Sequence, residues 1–428
     1  MSSSGKLGLW PVVAIGVGGM VGGGIFAVLG LAVQLAHGGT PLAFAIAGGV
    51  ALLTAYSYVK LSLAYPGRGG TVTFLNRAFG ANYLTGTLNV LLWLSYIVML
   101  SLYSYAFGSY GATFLPDRWQ GLGAHLLTSA AIVLIAGLNV LSATIIGRAE
   151  NWIVGLKIAI LALFVGVGAF GIDSSSLAPA AWAPLLQVAA GGMIIFLAYE
   201  GFELIANTAD DVADPHRTLP RAFFIAVGFV VVLYVAVAAV TVGNLSVDSI
   251  VAAKDFALAE AAKPFLGQAG FTMIAIAAML STASAINATL YGSARLSYSI
   301  VRAHELPQAL GRRLWGRDIE GLLITAAVTL VVANTLDLGS IATIGSAGFL
   351  VIFAAVNVAS AVRSRDVASR AWLSWVAAAA CVVALGALIW QTAQDDAQNL
   401  SVLLGLVGLA AGIEAVFRLT ERAELRLE

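Results

Sequence analysis

Charge is what this sequence has least of. Only 10% of its 428 residues are Asp, Glu, Lys or Arg, against roughly 25% in soluble domains. The 22 basic and 22 acidic residues cancel. No net field draws an anionic polymer, so nucleic acid is not an expected partner. One cysteine, Cys381, excludes an internal disulfide and a thiolate metal cluster. His216 has no second His or Cys close to it, and His37, His125 and His304 fall at the edges of apolar runs. No metal and no cofactor are expected. GxxxxGK[ST], HExxH and GxSxG motifs are absent as well. With neither an ATP loop nor a catalytic constellation, an enzyme is not expected. Uphill work must draw on a solute or ion gradient.

What fills the chain is apolar. Sixty per cent of the residues are hydrophobic and the mean hydropathy is +0.93. That is far more than soluble cores of ordinary size can hide. A membrane-spanning helix takes about 20 mostly apolar residues. The apolar runs separate at 9–35, 41–63, 83–111, 123–141, 151–171, 185–206, 221–242, 268–299, 320–334, 338–360, 371–390 and 400–417. They predict an all-α membrane protein with twelve transmembrane helices in a single domain over 1–428. The first run is too long for a cleaved signal and no Ala-x-Ala follows it. Lys and Arg mark the cytoplasmic side. With the N-terminus inside, Arg118, Lys254 and Lys263 alone fall in outer segments, and Lys157 lies within a span. The other 18 of the 22 basic residues then face inward, which predicts both termini in the cytoplasm.

Two runs carry interruptions at mid-depth. Run one reads Gly16-Val17-Gly18-Gly19-Met20-Val21-Gly22-Gly23-Gly24-Ile25-Phe26. Each Gly costs a helix up to about 1 kcal/mol relative to Ala. Close packing through Gly18/Gly22 and Gly19/Gly23 is the plainer reading, but it does not account for three consecutive glycines. Run six reads Phe196-Leu197-Ala198-Tyr199-Glu200-Gly201-Phe202-Glu203, with a glycine between two carboxylates. Charge at that depth costs at least about 2.5–3.5 kcal/mol and normally meets a cavity or a partner. Runs one to five (9–171) and six to ten (185–360) are similar in length. Five spans is an odd number, so a second copy is inverted. Interrupted helices at matching places of inverted halves point to a transporter's central site. The N–H end of a half-helix suits an anion and the carbonyl end a cation, and a zwitterionic amino acid needs both.

Run five places Lys157 about 14 Å beyond Arg148 along a helix axis, near the middle of an approximately 30 Å core. Its ammonium reaches an interface with difficulty even by snorkelling, so it is a candidate proton carrier or fixed counter-charge. Ser281 and Ser284 of run eight share a helix face. They are possible partners, although nothing in the sequence itself places the two runs in contact. Run three carries Trp93, Tyr96, Leu100, Tyr103 and Phe107 on one stripe, read as packing before pathway lining. Asn334, Asn357 and Gly345-Ser346-Ala347-Gly348 are candidates for an outer gate. Asp210, Asp211 and Asp214 read as a solvated cytoplasmic loop.

These segments together resemble the amino acid–polyamine–organocation superfamily, which has the LeuT-type fold. The resemblance covers nearly the whole chain. It is carried by Gly22-Gly23-Gly24-Ile25-Phe26, Ala55-Tyr56-Ser57-Tyr58-Val59-Lys60-Leu61, Gly147-Arg148-Ala149-Glu150 leading to Lys157, and Ala198-Tyr199-Glu200-Gly201-Phe202. Asp214-Pro215-His216-Arg217-Thr218-Leu219-Pro220-Arg221 and Asn287-Ala288-Thr289-Leu290-Tyr291-Gly292 complete it. Within the superfamily the chain is most similar to proton-coupled amino-acid transporters and cationic amino acid transporters. The resemblance implies a 5+5 inverted repeat with broken helices one and six, plus two extra helices at 371–390 and 400–417. It implies that Met20, Val21, Gly22, Gly23, Gly24 and Ile25 hold the substrate carboxylate. Phe196, Leu197, Ala198, Tyr199, Glu200 and Gly201 then hold its amino group. Lys157, with Gly18, Gly19, Ser281 and Ser284 near it, takes the place of a sodium ion in sodium-driven relatives, and Glu203 is a second proton site or favours cationic substrates. Gly23 is often Ser or Ala in relatives, so a hydroxyl contact there is missing. The implied activity is import of amino acids by proton symport across the inner membrane, with exchange of amino acids or amines as the alternative. The partners are a small-molecule substrate, the proton and the lipid bilayer.

Overall fold

The computed structural model describes residues 6–67, 69–141, 146–302, 320–395 and 397–424. His304, and Arg68, Arg312, Arg313, Arg317 and Arg426 among the 18 basic residues placed inward, lie outside the described residues. The helices are α1 Leu9–Met20, α2 Gly24–Ala36, α3 Thr40–Ala64, α4 Gly70–Phe79 and α5 Tyr83–Ala112. Next come α6 Asp117–Leu141, α7 Ile146–Gly168, α8 Leu185–Ile194, α9 Pro215–Asn244 and α10 Val247–Ala252. The last are α11 Ala257–Arg302, α12 Glu320–Thr335, α13 Leu338–Val362, α14 Ala371–Asp395 and α15 Ala397–Glu424. Between α8 and α9 run two tight 3₁₀ segments, Phe196–Tyr199 and Phe202–Asp211.

This is a multi-pass membrane protein. Among the described residues, nine helices are long and apolar enough to cross a membrane, and two bent pairs raise the number to eleven. The remaining expected span, the ninth, is α12, with 16 residues among those described. It measures about 24 Å at 1.5 Å per residue, short of an approximately 30 Å core. The bent pairs are α1 with α2, at 48°, and α8 with its 3₁₀ continuation, at 53°. The first break falls at consecutive glycines, while the second opens at Ile195 and reaches Gly201.

Burial separates centre from periphery. In α5, 89% of the membrane-length window is buried, against 22% in α15 and 33% in α14. α14 and α15, like α6 and α7 at 28% each, lie at the periphery of the bundle. A polar seam fixes α14 to it. Asn357 of α13 donates to Thr54 Oγ1 of α3 (3.1 Å) and to Cys381 Sγ of α14 (3.5 Å). Ser360 and Ser374 hydrogen-bond at 3.0 Å. Small side chains let helices approach, and hydroxyls then bind across them. Glu414 of α15 is fully buried and accepts from Arg418 Nε at 2.6 Å. Its carboxylate lies where a Cβ on Gly86 would stand.

Several boundaries differ from the sequence expectation. The sixth span reaches Asp211 rather than 206, because its last turns carry Asn207, Thr208, Asp210 and Asp211, which a hydropathy pattern reads as loop. Asp210 and Asp211 are nevertheless exposed. The fourth span starts at Asp117, six residues early, after Pro116. The short α4 escaped notice because it is amphipathic, burying Val72, Phe74, Leu75 and Ala78. In α11, Gly267 at φ 62 interrupts the helix three residues after Pro264, one residue before the expected start of the run at 268.

Asp337 opens α13. Its carboxylate accepts from Gly339 N (2.8 Å), Ser340 N (3.1 Å) and Ser340 Oγ (2.6 Å). Burial alone raises the carboxyl, but these bonds outweigh it and hold Asp337 below the usual carboxylate range. The capping contribution is therefore complete above the ordinary carboxylate value and is lost as pH falls through the depressed one. Asp337→Ala removes the cap, at a cost of about 1 kcal/mol. Thermal unfolding of the detergent-solubilised protein at neutral pH is expected to show a lower midpoint for the variant.

Candidate functional site: two facing helix breaks

The first break occupies 21–23, between α1 and α2. A bare carbonyl in hydrocarbon costs several kcal/mol, and α1 ends in a row of them. Three helices answer with donors. Lys157 Nζ of α7 donates to Gly18 O at 3.1 Å. Tyr234 Oη of α9 donates to Met20 O at 2.7 Å. Ser281 Oγ of α11 donates to Val21 O at 3.3 Å and lies closer still to Gly22 O. Lys157 is 2% exposed and is the twelfth of the 23 residues of α7. The negative C-terminal end of a half-helix is where an ammonium is stabilised. Val154, one turn before it, packs 3.1 Å from a Cβ placed on Gly18.

The other side of the break is the N-terminus of α2. It carries no side-chain cap, and Gly24, Ile25 and Phe26 are buried. Tyr110 Oη donates to Phe26 O at 3.0 Å and fixes the first turn. Glycine here answers a packing demand. A Cβ on Gly22 would stand 3.1 Å from the Ala285 Cβ, and one on Gly23 would sit 2.8 Å from Thr282 Cγ2 and collide with the Tyr103 ring.

The second break runs from Ile195 to Gly201. Ser346 of α13 bridges its start, donating to Ile194 O (2.6 Å) and accepting from Leu197 N (3.0 Å). Glu200 is extended, at φ −64 and ψ 151. Gly201 has φ 113, a conformation that side-chain-bearing residues rarely adopt. Its N–H donates to Glu203 Oε2 at 2.8 Å, and Tyr96 Oη donates to Glu203 Oε1 at 3.1 Å. Glu200 and Glu203 are 4% and 2% exposed. Tyr199 Oη donates to Phe44 O at 2.9 Å.

The two breaks touch each other. A Cβ on Gly24 would lie 2.8 Å from Ala198 Cα, and one on Gly19 would lie 2.8 Å from Gly201 O. Leu7 N donates to Asp211 O at 2.7 Å and Ala213 N to Leu7 O at 2.8 Å, so the start of the first span and the end of the sixth are joined as well. The geometry gathers Met20 to Ile25 and Phe196 to Gly201 into one buried place, with Lys157, Gly18 and Ser281 beside the first break and Glu203 beside the second. Ser284 is buried on α11.

The profile of the amino acid permease family matches residues 7–411, a stretch that includes both breaks. The chain belongs to the amino acid permease family. It is a membrane transporter, and its family implies an amino acid as the small-molecule substrate. The permease is 34% identical to an uncharacterised protein of Methanocaldococcus jannaschii, over 96% of this chain and 95% of that protein. It is 37% identical to the inner membrane transport protein YbaT of Escherichia coli, over 82% of each. The branched-chain amino acid permease BcaP of Bacillus subtilis is 26% identical over 72% of this chain and 69% of its own length.

Some contributors were not visible in the permease's sequence. Tyr234 gave no signal, as an aromatic in an apolar run. Tyr96 and Tyr103 belong to a stripe read first as packing, yet both meet a break. Trp93 of the same stripe does pack, donating to Thr325 Oγ1 at 3.2 Å. Ser346 was read with Asn334 and Asn357 as gate material. It bridges the start of the second break, while Asn334 bonds Ser129 (3.1 Å) and His125 (3.0 Å) of α6 and Asn357 joins the α14 seam. A midspan polar residue three turns from any other is legible as unusual, but its partner is not.

Gly201→Ala forces a side chain into φ 113 with its Cβ 2.5 Å from Gly19 C. Backbone strain alone costs about 1–3 kcal/mol, and the clash is with main chain that cannot rotate away. A marked fall in the thermal midpoint of the purified protein is expected. Gly155→Ala, inside α7 where a Cβ meets open space, removes a helix-weakening glycine and is expected to hold or raise the midpoint.

Proposed function

We propose that the protein imports amino acids by proton symport across the cytoplasmic membrane, with both termini in the cytoplasm and the central site between the two breaks. The observation that carries this reading is the meeting of the breaks beside a buried lysine bonded to Gly18 O. The uncapped N–H groups from Gly22 through Ile25 suit the carboxylate of a zwitterion, by dipole and by donor geometry. The carbonyls of Leu197, Ala198 and Tyr199 suit its ammonium. The halves 9–171 and 185–360 act as an inverted pair around this site, and α14 and α15 remain outside it.

The proton then acts at Lys157. A charged Lys157 ties α7 to the end of α1, and Ser281 ties α11 to the same end. Losing the proton weakens the first tie, and α1 is freed to move relative to α7 and α11. Coupling follows because the carbonyl end that Lys157 holds is the end of the broken helix that binds substrate. Glu203 holds the second break through Gly201 and Tyr96, and it is the second group through which protonation reaches the site.

Purified protein in proteoliposomes, given an inward proton gradient and no sodium, is expected to accumulate an amino acid. Uptake that needs sodium and ignores pH would contradict the coupling, and uptake only into preloaded vesicles would assign exchange instead. Lys157→Ala is expected to abolish proton-driven accumulation while keeping the wild-type circular dichroism spectrum and elution volume. Wild-type rates and pH dependence in that variant would make Lys157 a structural residue only.

A further inference from the structure

We infer that Tyr234 is a positioning residue that sets the distance between the two breaks, and through it the fit of the two ends of the substrate. The inference rests on the proposed central site. Tyr234 lies on α9, which contributes no residue to either break. Its hydroxyl donates to Met20 O at 2.7 Å, at the last residue of α1. Its ring lies 5.3 Å from that of Tyr199, inside the second break, and 5.8 Å from that of Phe44 on α3. Tyr199 in turn donates to Phe44 O. All three rings are fully buried. One side chain therefore grips the first break by a hydrogen bond and the second by ring contact.

The three donors at the end of α1 differ in kind. Lys157 is titratable, and Ser281 is a short side chain on a helix that meets the first break alone. Tyr234 is long and uncharged at neutral pH, and its ring lies against Tyr199 of the second break and Phe44 of α3. It keeps the carbonyl end of α1 in register with the second break whichever tie opens. A zwitterion spans a fixed distance between carboxylate and ammonium, so a change in that register weakens binding before it changes turnover.

Tyr234→Phe removes one oxygen and keeps the ring. For an amino acid that the wild type transports, KM is expected to rise about fivefold, the factor one buried hydrogen bond is worth. Vmax is expected to stay within about twofold and the pH profile to remain in place, because Lys157 is untouched. Tyr58→Phe loses a buried hydroxyl that bonds Thr71 of α4 rather than either break, and its KM is expected to stay near wild type. Backbone amide exchange gives a readout independent of transport. Amides 21–24 are expected to exchange faster in Tyr234→Phe than in wild type, with α13 unaffected. Unchanged KM, or equal rises in both variants, or unchanged exchange at 21–24, would overturn the inference. Absence of amino acid uptake by the wild type would instead overturn the proposed function, and the exchange experiment would still decide the role of Tyr234.

Discussion

A peptide group that leaves its helix inside a bilayer has no water to turn to. Each costs several kcal/mol unless something else binds it, so a break at mid-depth must be surrounded by donors and acceptors. Six polar side chains at the centre of this bundle answer that demand. Lys157, Tyr234 and Ser281 serve the first break, and Ser346, Glu203 and Tyr96 serve the second. They come from six different segments, so the breaks tie the bundle together at the level where its helices are least regular.

The same demand accounts for the glycines. They do more than loosen the coil. Gly24 lets its backbone reach Ala198, Gly19 lets it reach Gly201, and Gly23 leaves room for the Tyr103 ring. With a hydroxyl-bearing residue at 23, the serine would supply its own hydrogen bond but displace Tyr103 and Thr282. This chain has the aromatic wall instead. Tyr96 and Tyr103 lie seven residues apart on α5, the most buried helix, and each lies against a different break.

Composition and periodicity made the membrane architecture legible, because a run of some 20 apolar residues has few other uses. The two interruptions were legible for a related reason. Three glycines in a row and two carboxylates beside a glycine are expensive in hydrocarbon, and expense is visible in a sequence. Partners were not. Ser346 and Tyr234 are ordinary residues of apolar spans, and only the packing of α13 and α9 brings them to Ile194 and Met20. The amphipathic α4 and the polar last turns before Asp211 were missed because hydropathy reads their exposed faces as loop. Lys157 was legible as costly at its depth, while Gly18 O as its acceptor was not.

The central claim is that bare peptide groups of the two breaks hold the substrate. It is tested most directly by an experimental structure of the purified protein with an amino acid that it transports. The account predicts the carboxylate against the amides of Gly22 to Ile25 and the ammonium against the carbonyls of Leu197 to Tyr199. An amino acid bound elsewhere, or both segments continuous as helix when it is bound, would contradict it.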